Sequence, residues 1–286
     1  MTSSEFGEGS VFELEIAQPD VEGPRGRIDL RTYTPIGAAD APVFVWIHGG
    51  AFVFGDLDMN EADWVSRRIA ERGVVVVSLD HRKATEGITH PVPLDDIEAG
   101  WRWAAEHTVE LAGSTAAPHL GGASAGANLA AACALRCRDE GPVPSSLVLV
   151  YGVFHSVIPA PDSRLAEALA LMGPGRYIDD EIVRRINLNY LGSEDRFHDQ
   201  EAFPGLADLR GFPSTFVLNA DIDGLRPSGE LFAQQLSLSG TACELELEPE
   251  SHHGYLEQAG EPALRSIDRI LRWIDRTPPV SGARPG

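Results

Sequence analysis

The stretch Gly122-Ala123-Ser124-Ala125-Gly126 limits what this chain can fold into more than any other. It lies between a short apolar run and an alanine-rich helical run. A serine set between glycines at a strand-to-helix junction demands a very tight turn. The serine backbone is strained there, and a side chain at either glycine would meet the adjoining strand or helix. Such a turn lifts the hydroxyl clear of a sheet and sets it at a helix N-terminus, where the dipole and free amides favour developing negative charge. Five small residues are also common in ordinary loops. The functional reading therefore requires the rest of the chain to supply a base, an acid and an oxyanion hole.

The order of elements fits a sheet with helices. Val11–Ala17 alternates apolar and polar residues as a strand with one buried face does, and Arg27–Thr34 follows a Pro/Gly turn as its antiparallel partner. Pro42–Ile47 and Val74–Leu79 are continuous apolar runs, the mark of central strands covered on both faces. Further strands are predicted at His119–Gly122, Ser146–Tyr151, Thr215–Asn219 and Ala242–Leu247. Helices are predicted at Asn60–Gly73, Asp95–His107, Ala125–Arg138 and Glu261–Thr277. This alternation predicts an α/β fold, a mostly parallel central sheet with helices on both faces, as one domain over residues 1–286. Residues 155–210 break the alternation with a proline-broken loop and two helical pieces, Leu165–Met172 and Asp179–Leu191. An insertion of that size after a strand is a candidate cap over a site. Residues 1–10 are expected to fray, and the Pro/Gly-rich 278–286 to form a disordered tail.

Composition excludes several classes. A net charge of −20 argues against binding nucleic acid or an anionic membrane surface. No apolar run approaches the ~20 residues of a membrane span, and the N-terminus shows no basic start followed by an apolar segment. A cytoplasmic location is the expectation. Cys133, Cys137 and Cys243 are too few, and odd in number, for a disulfide framework. The histidines at 90, 107, 119, 155 and 198 are scattered without metal-ligand spacing, and there is no phosphate loop or dinucleotide fingerprint. No metal or organic cofactor is expected.

The remaining parts of an acyl-transfer site are present in order. His48-Gly49-Gly50-Ala51 follows a central strand, at the end where open α/β sheets hold their sites. The backbone amides of Gly49, Gly50 and Ala125 are the expected oxyanion donors, and His48 is expected to brace the loop. The base belongs on a late loop, where His252 and His253 are adjacent. His253 is favoured because Gly254 can turn the chain after it, with His252 the alternative. Asp221 and Asp223 follow the preceding strand, and either could orient the imidazole. The order serine, acid, histidine is that of an α/β-hydrolase.

With His48-Gly49-Gly50-Ala51-Phe52, Gly122-Ala123-Ser124-Ala125-Gly126, Asp223-Gly224-Leu225-Arg226 and His253-Gly254-Tyr255, the chain resembles the hormone-sensitive lipase family of α/β-hydrolases, in its microbial carboxylesterase branch. The resemblance spans roughly residues 40 to 275. It supports a triad of Ser124, Asp223 and His253, because the family commonly reads Asp-Pro-Leu-Arg and His-Gly-Phe at the last two motifs. It implies hydrolysis of small-molecule carboxylic esters of small to medium acyl chain, with a homodimer as a candidate assembly. An amidase or lactonase using the same triad is the alternative, and a non-catalytic receptor pocket on this fold is disfavoured because His253 is present.

Two departures bear on the substrate. Only 47 residues precede His48, and they read as strands, so the family's N-terminal cap helices are expected to be absent or very short. The family's Asp-Tyr-Arg-Leu-Ala-Pro-Glu appears as Asp80-His81-Arg82-Lys83-Ala84-Thr85-Glu86. Drift in a surface loop is the favoured explanation. The functional reading places His81 or Lys83 in a substrate pocket for a polar or acidic acyl group.

Overall fold

The computed structural model describes residues 11–173 and 175–277, so the expected frayed start and disordered tail lie outside it. The chain opens with β1 (Leu14–Ala17), β2 (Val21–Gly23), β3 (Gly26–Ile28) and β4 (Leu30–Pro35). There follow β5 (Val43–Ile47), α1 (Asp63–Ala70), β6 (Val75–Leu79), α2 (Val92–Glu106), α3 (Thr108–Ala112), β7 (His119–Ala123), α4 (Ala125–Glu140) and β8 (Leu147–Val150). The second half holds α5 (Ser163–Met172), α6 (Asp180–Leu191), β9 (Thr215–Ile222), α7 (Arg226–Leu238), β10 (Cys243–His252) and α8 (Glu261–Arg276).

The main sheet has the order β1-β4-β6-β5-β7-β8-β9-β10. β1 and β4 pair antiparallel, β4 joins β6 antiparallel, and the strands from β6 to β10 run parallel. Period-2 alternation sorts each central strand between two cores. Val43, Val45 and Ile47 of β5 pack with α2, α4 and α7 on one face. Phe44 and Trp46 pack with α1 and α8 on the other. α4 is alanine-rich because it is buried almost all round; Ala127, Ala130, Ala131 and Ala134 are all inaccessible, as are Cys133 and Cys137.

The sheet order also sets where chemistry can occur. From β5 the chain crosses to β6 on one side, then returns to β7 on the other. This reversal opens a crevice at the carboxyl ends of β5 and β7, the usual ligand position in an open α/β sheet. Gly122 pairs with Ile47 across the two strands, so the loops leaving them face each other. A Cβ at Gly126 would run into the carbonyl oxygens of Ile47 and His48, which explains the second glycine of the elbow.

Three local features depart from the sequence expectations. The Pro/Gly turn near residue 24 contains a small ribbon of its own, β2 with β3. Helix α2 begins earlier than expected, with prolines in its first turn, where a missing N–H costs nothing. Helix α7 was not expected, because Pro227 and Gly229 obscure its start. Gly229 is small because Asn219 packs where its side chain would be. Among the described residues before β5 there are strands and no helix, so nothing in 11–42 forms a helical cover.

Candidate active site

Ser124 follows β7 with φ +53° and ψ −119°, a conformation that a non-glycine residue adopts only under constraint. Its amide donates to Val150 O at 2.9 Å, and its carbonyl accepts from the Ala127 amide at 3.1 Å. The strain is therefore held from both sides. Ser124 Oγ lies 2.9 Å from His253 Nε2. His253 Nδ1 lies 2.8 Å from Asp223 Oδ2. Asp223 is 1% exposed, and its other oxygen accepts from the Leu225 amide at 3.0 Å. The structure thus brings Ser124, His253 and Asp223 into one line.

The two alternatives lie elsewhere. His252 points outward, with Nδ1 3.3 Å from Ile222 O. Asp221 accepts from Arg164, Arg226 and the Glu250 amide, and so ties the ends of β9 and β10 together.

Burial alone would push the His253 imidazole down. The charge and hydrogen bond of Asp223, helped by the charge of Glu61, outweigh it and hold His253 above its ordinary value. The acid limb of any activity that needs the neutral imidazole therefore lies above the ordinary 6.5.

Glu61 had no signal in the sequence beyond being one carboxylate in a helical stretch. It is 3% exposed. Its Oε1 accepts from the Gly49 amide at 2.5 Å and its Oε2 from the Tyr151 hydroxyl at 2.5 Å. Trp46 Nε1 donates to its carbonyl at 2.8 Å. Burial, then the charge of Glu61, raises the Tyr151 phenol well above its usual value, so it stays a donor. The Tyr151 ring meets the His253 ring edge-on at 5.0 Å.

This network corrects one expectation. The Gly49 amide is bonded to Glu61 and does not face an incoming oxyanion. The Gly50 and Ala125 amides remain. Ala51, held at φ +51°, lines the same slot as Ser124 and Ala125. Replacing Glu61 with glutamine keeps an acceptor for the Gly49 amide but removes the charge near His253. The expected result is an acid limb of kcat/KM at lower pH than in the parent; an unmoved limb in a pH–rate profile would refute the coupling.

His81 and Lys83 are the second correction. They line a cavity of about 350 Å³ with Asp80, Arg82 and Asp96, apart from the slot on Ser124. The cause is topological. β6 delivers residues 80–83 to one flank of β5, whereas β7 delivers Ser124 to the other. Lys83 Nζ donates to Asp80 and to His81 O. Asp80 holds His48 Nε2 at 3.0 Å. His81 stacks on the His48 ring at 5.4 Å, and burial, then the Lys83 charge, lowers it to about 3, so it is neutral. Both residues brace the loop that carries His48 and Gly49.

Two hollows meet at Ile178. A slot of about 30 Å³ touches Ser124, Ala125, Ala51 and Phe52. A more open cleft of about 290 Å³ touches His253, Asp223 and His252. Residues 155–210 supply Ile178, Val183, Ile186 and Asn187 to the slot, and Met172, Arg176 and Tyr177 to the cleft. Gly224 stands where the family commonly has proline, and Ile178 O occupies the space a Cβ there would need. The glycine lets the 177–178 backbone seat on the loop of Asp223. Among the described residues no group of three or more His, Cys, Asp or Glu could hold a metal ion, and no helix is long and apolar enough to cross a membrane.

A family model described as alpha/beta hydrolase fold matches residues 44–257. The carboxylesterase NlhH of Mycobacterium tuberculosis is 32% identical over 248 residues, covering 81% of this chain and 72% of the relative. The solved hyperthermophilic esterase from Pyrobaculum calidifontis is similar with a TM-score of 0.82 at 28% identity, over 91% of this chain and 85% of the other. The solved brefeldin A esterase, titled a bacterial homologue of human hormone sensitive lipase, has the same fold, with a TM-score of 0.82 at 23% identity over 97% and 81% of the two chains.

Proposed function

The chain belongs to the alpha/beta hydrolase fold family, and from that premise we propose that it is a carboxylesterase working through an acyl-enzyme on Ser124. The observation that carries the reading is the unbroken line from Ser124 Oγ through His253 to Asp223, at 2.9 and 2.8 Å. Ser124 Oγ attacks the ester carbonyl carbon while its proton passes to His253 Nε2. Asp223 steadies the charged imidazole. The oxyanion is met by the amides of Gly50, Ala51 and Ala125; one such donor is worth on the order of 3 kcal/mol at the transition state. The C–O bond to the alcohol breaks, and His253 returns its proton to the departing oxygen. Water then gives a proton to His253 as its oxygen bonds to the acyl carbon; the bond from that carbon to Ser124 Oγ breaks, and His253 returns the proton to Oγ, which leaves as the free hydroxyl.

His253 protonates the leaving group, so the alcohol faces the cleft beside that residue. The acyl group enters the slot beside Ser124. The slot is small, which favours short acyl chains. Residues 155–210 act as the cap, since they wall both hollows. The test is reaction with a fluorophosphonate probe together with release of p-nitrophenol from a short-chain ester. Mass spectrometry is expected to find the adduct on Ser124; an unlabelled Ser124 in folded protein would refute the reading.

A further inference from the structure

Gly50, Ala51 and Phe52 stand at φ +120°, +51° and +64°, three left-handed residues in a row. Ala51 and Phe52 carry side chains that disfavour this region, so the surroundings must impose it. Inside the loop, the Val53 and Phe54 amides donate to Gly50 O at 2.9 and 3.0 Å. Further restraint comes from the cap helix α6. The Tyr190 ring lies nearly parallel on the Phe52 ring, with centroids 3.8 Å apart and 6° between the planes. Both residues are wholly buried. The Phe52 carbonyl accepts from the Ala84 amide at 2.7 Å, and Ala84 O accepts from Asn189 Nδ2 at 2.6 Å. Residues 189 and 190 thus hold Phe52 at its carbonyl and at its ring. Tyr190 is itself fixed. Its carbonyl accepts from the His90 amide at 2.7 Å, and its hydroxyl pairs with His90 Nδ1 at 3.2 Å. His90 Nε2 lies 3.3 Å from Glu201, which pairs with Arg136 on α4, the helix that starts after Ser124.

We propose that Tyr190 is a positioning residue for the oxyanion loop: by holding the Phe52 ring, it keeps the Gly50 and Ala51 amides aimed at the developing oxyanion. On the carboxylesterase reading, on which this rests, the cap then does more than wall the two hollows; it takes part in setting the rate of the chemical step. Phe52 follows directly on the two amides, so rotation of its backbone carries them along. Donors of this kind act by being fixed before the charge develops, and a small misplacement is costly in rate. A substrate carbonyl demands less of them than the oxyanion does, so misaligned amides cost turnover rather than binding. The aromatic face of Tyr190 carries this effect, whereas its hydroxyl serves the attachment to His90.

The experiment measures kcat and KM for p-nitrophenyl acetate in the parent, Tyr190→Phe and Tyr190→Leu, with active sites counted by the fluorophosphonate. Tyr190→Phe retains the ring and is expected to keep kcat within about twofold of the parent, even where its melting temperature falls. Tyr190→Leu is expected to lower kcat by about tenfold or more while KM stays within about twofold. In Phe52→Leu the stack is already gone, so adding Tyr190→Leu to it is expected to lower kcat by less than about twofold more. Should Tyr190→Leu fail to fold, Tyr190→Met supplies the same comparisons. An unchanged kcat in Tyr190→Leu, a rise in KM alone, an equal loss in Tyr190→Phe, or full additivity with Phe52→Leu would overturn this assignment and leave the esterase reading intact. Absence of turnover in the parent, with Ser124 unlabelled by the phosphonate, would overturn both.

Discussion

Ser124→Ala is expected to reduce kcat for a short-chain p-nitrophenyl ester by about a millionfold, and to leave the fold in place. In the proposed reaction the hydroxyl is the group that bonds to the acyl carbon, so no neighbouring residue can substitute for it. The substitution also removes its hydrogen bond with His253 Nε2, at 2.9 Å. Alanine retains the Cβ, so the backbone at φ +53° is no more and no less strained than before. The melting temperature is expected to stay within about 4 °C of the parent, the shift that about 1 kcal/mol causes in a domain of this size. Residual rate over water is expected from the oxyanion donors and binding alone, a remainder of about 10³–10⁴-fold in hydrolases of this type. Steady-state kinetics on freshly purified variant, with labelling by the phosphonate as a second readout, decides the matter. Activity within about a hundredfold of the parent would point to a different nucleophile.

What could be read in advance follows the range of the interactions involved. The elbow is legible because its constraint is local: two glycines are needed within the same turn as the serine. The order of strands is legible because burial on both faces leaves continuous runs such as Val43–Ile47. Glu61 is not legible, because its role depends on Trp46 and Gly49 at the end of β5 and Tyr151 after β8 arriving from two other segments. His81 and Lys83 stand out in sequence by their departure from a family pattern. Their position depends on which flank of β5 receives β6, and that information is in the sheet order. Helix α7 was hidden because propensity penalises Pro227 and Gly229. Tertiary packing overrides that penalty: proline is tolerated in a first turn, and glycine makes room for Asn219.

Asp223→Asn is expected to lower kcat by about 10⁴-fold near neutral pH, although the two side chains have nearly the same shape. The reason lies in the partner of the second oxygen. Asp223 Oδ1 accepts from the Leu225 amide at 3.0 Å, and Oδ2 accepts from His253 Nδ1 at 2.8 Å. An asparagine must leave its oxygen toward the Leu225 N–H, because that neighbour can only donate. Its NH₂ group is then turned to His253, and Nδ1 must accept. The imidazole proton moves to Nε2, the nitrogen facing Ser124 Oγ, and that nitrogen can no longer take the serine's proton. The substitution also removes the charge that holds His253 above its ordinary value, so burial prevails and the imidazole titrates at lower pH. The sign of the two effects differs from that of a simple loss of affinity. The acid limb moves down, which by itself would help activity at low pH, while the plateau falls because the wrong tautomer is present. Rate–pH profiles of parent and Asp223→Asn, with the phosphonate labelling rate measured at the plateau, separate them. A plateau lowered by less than about tenfold would show that Asp223 does not set the tautomer.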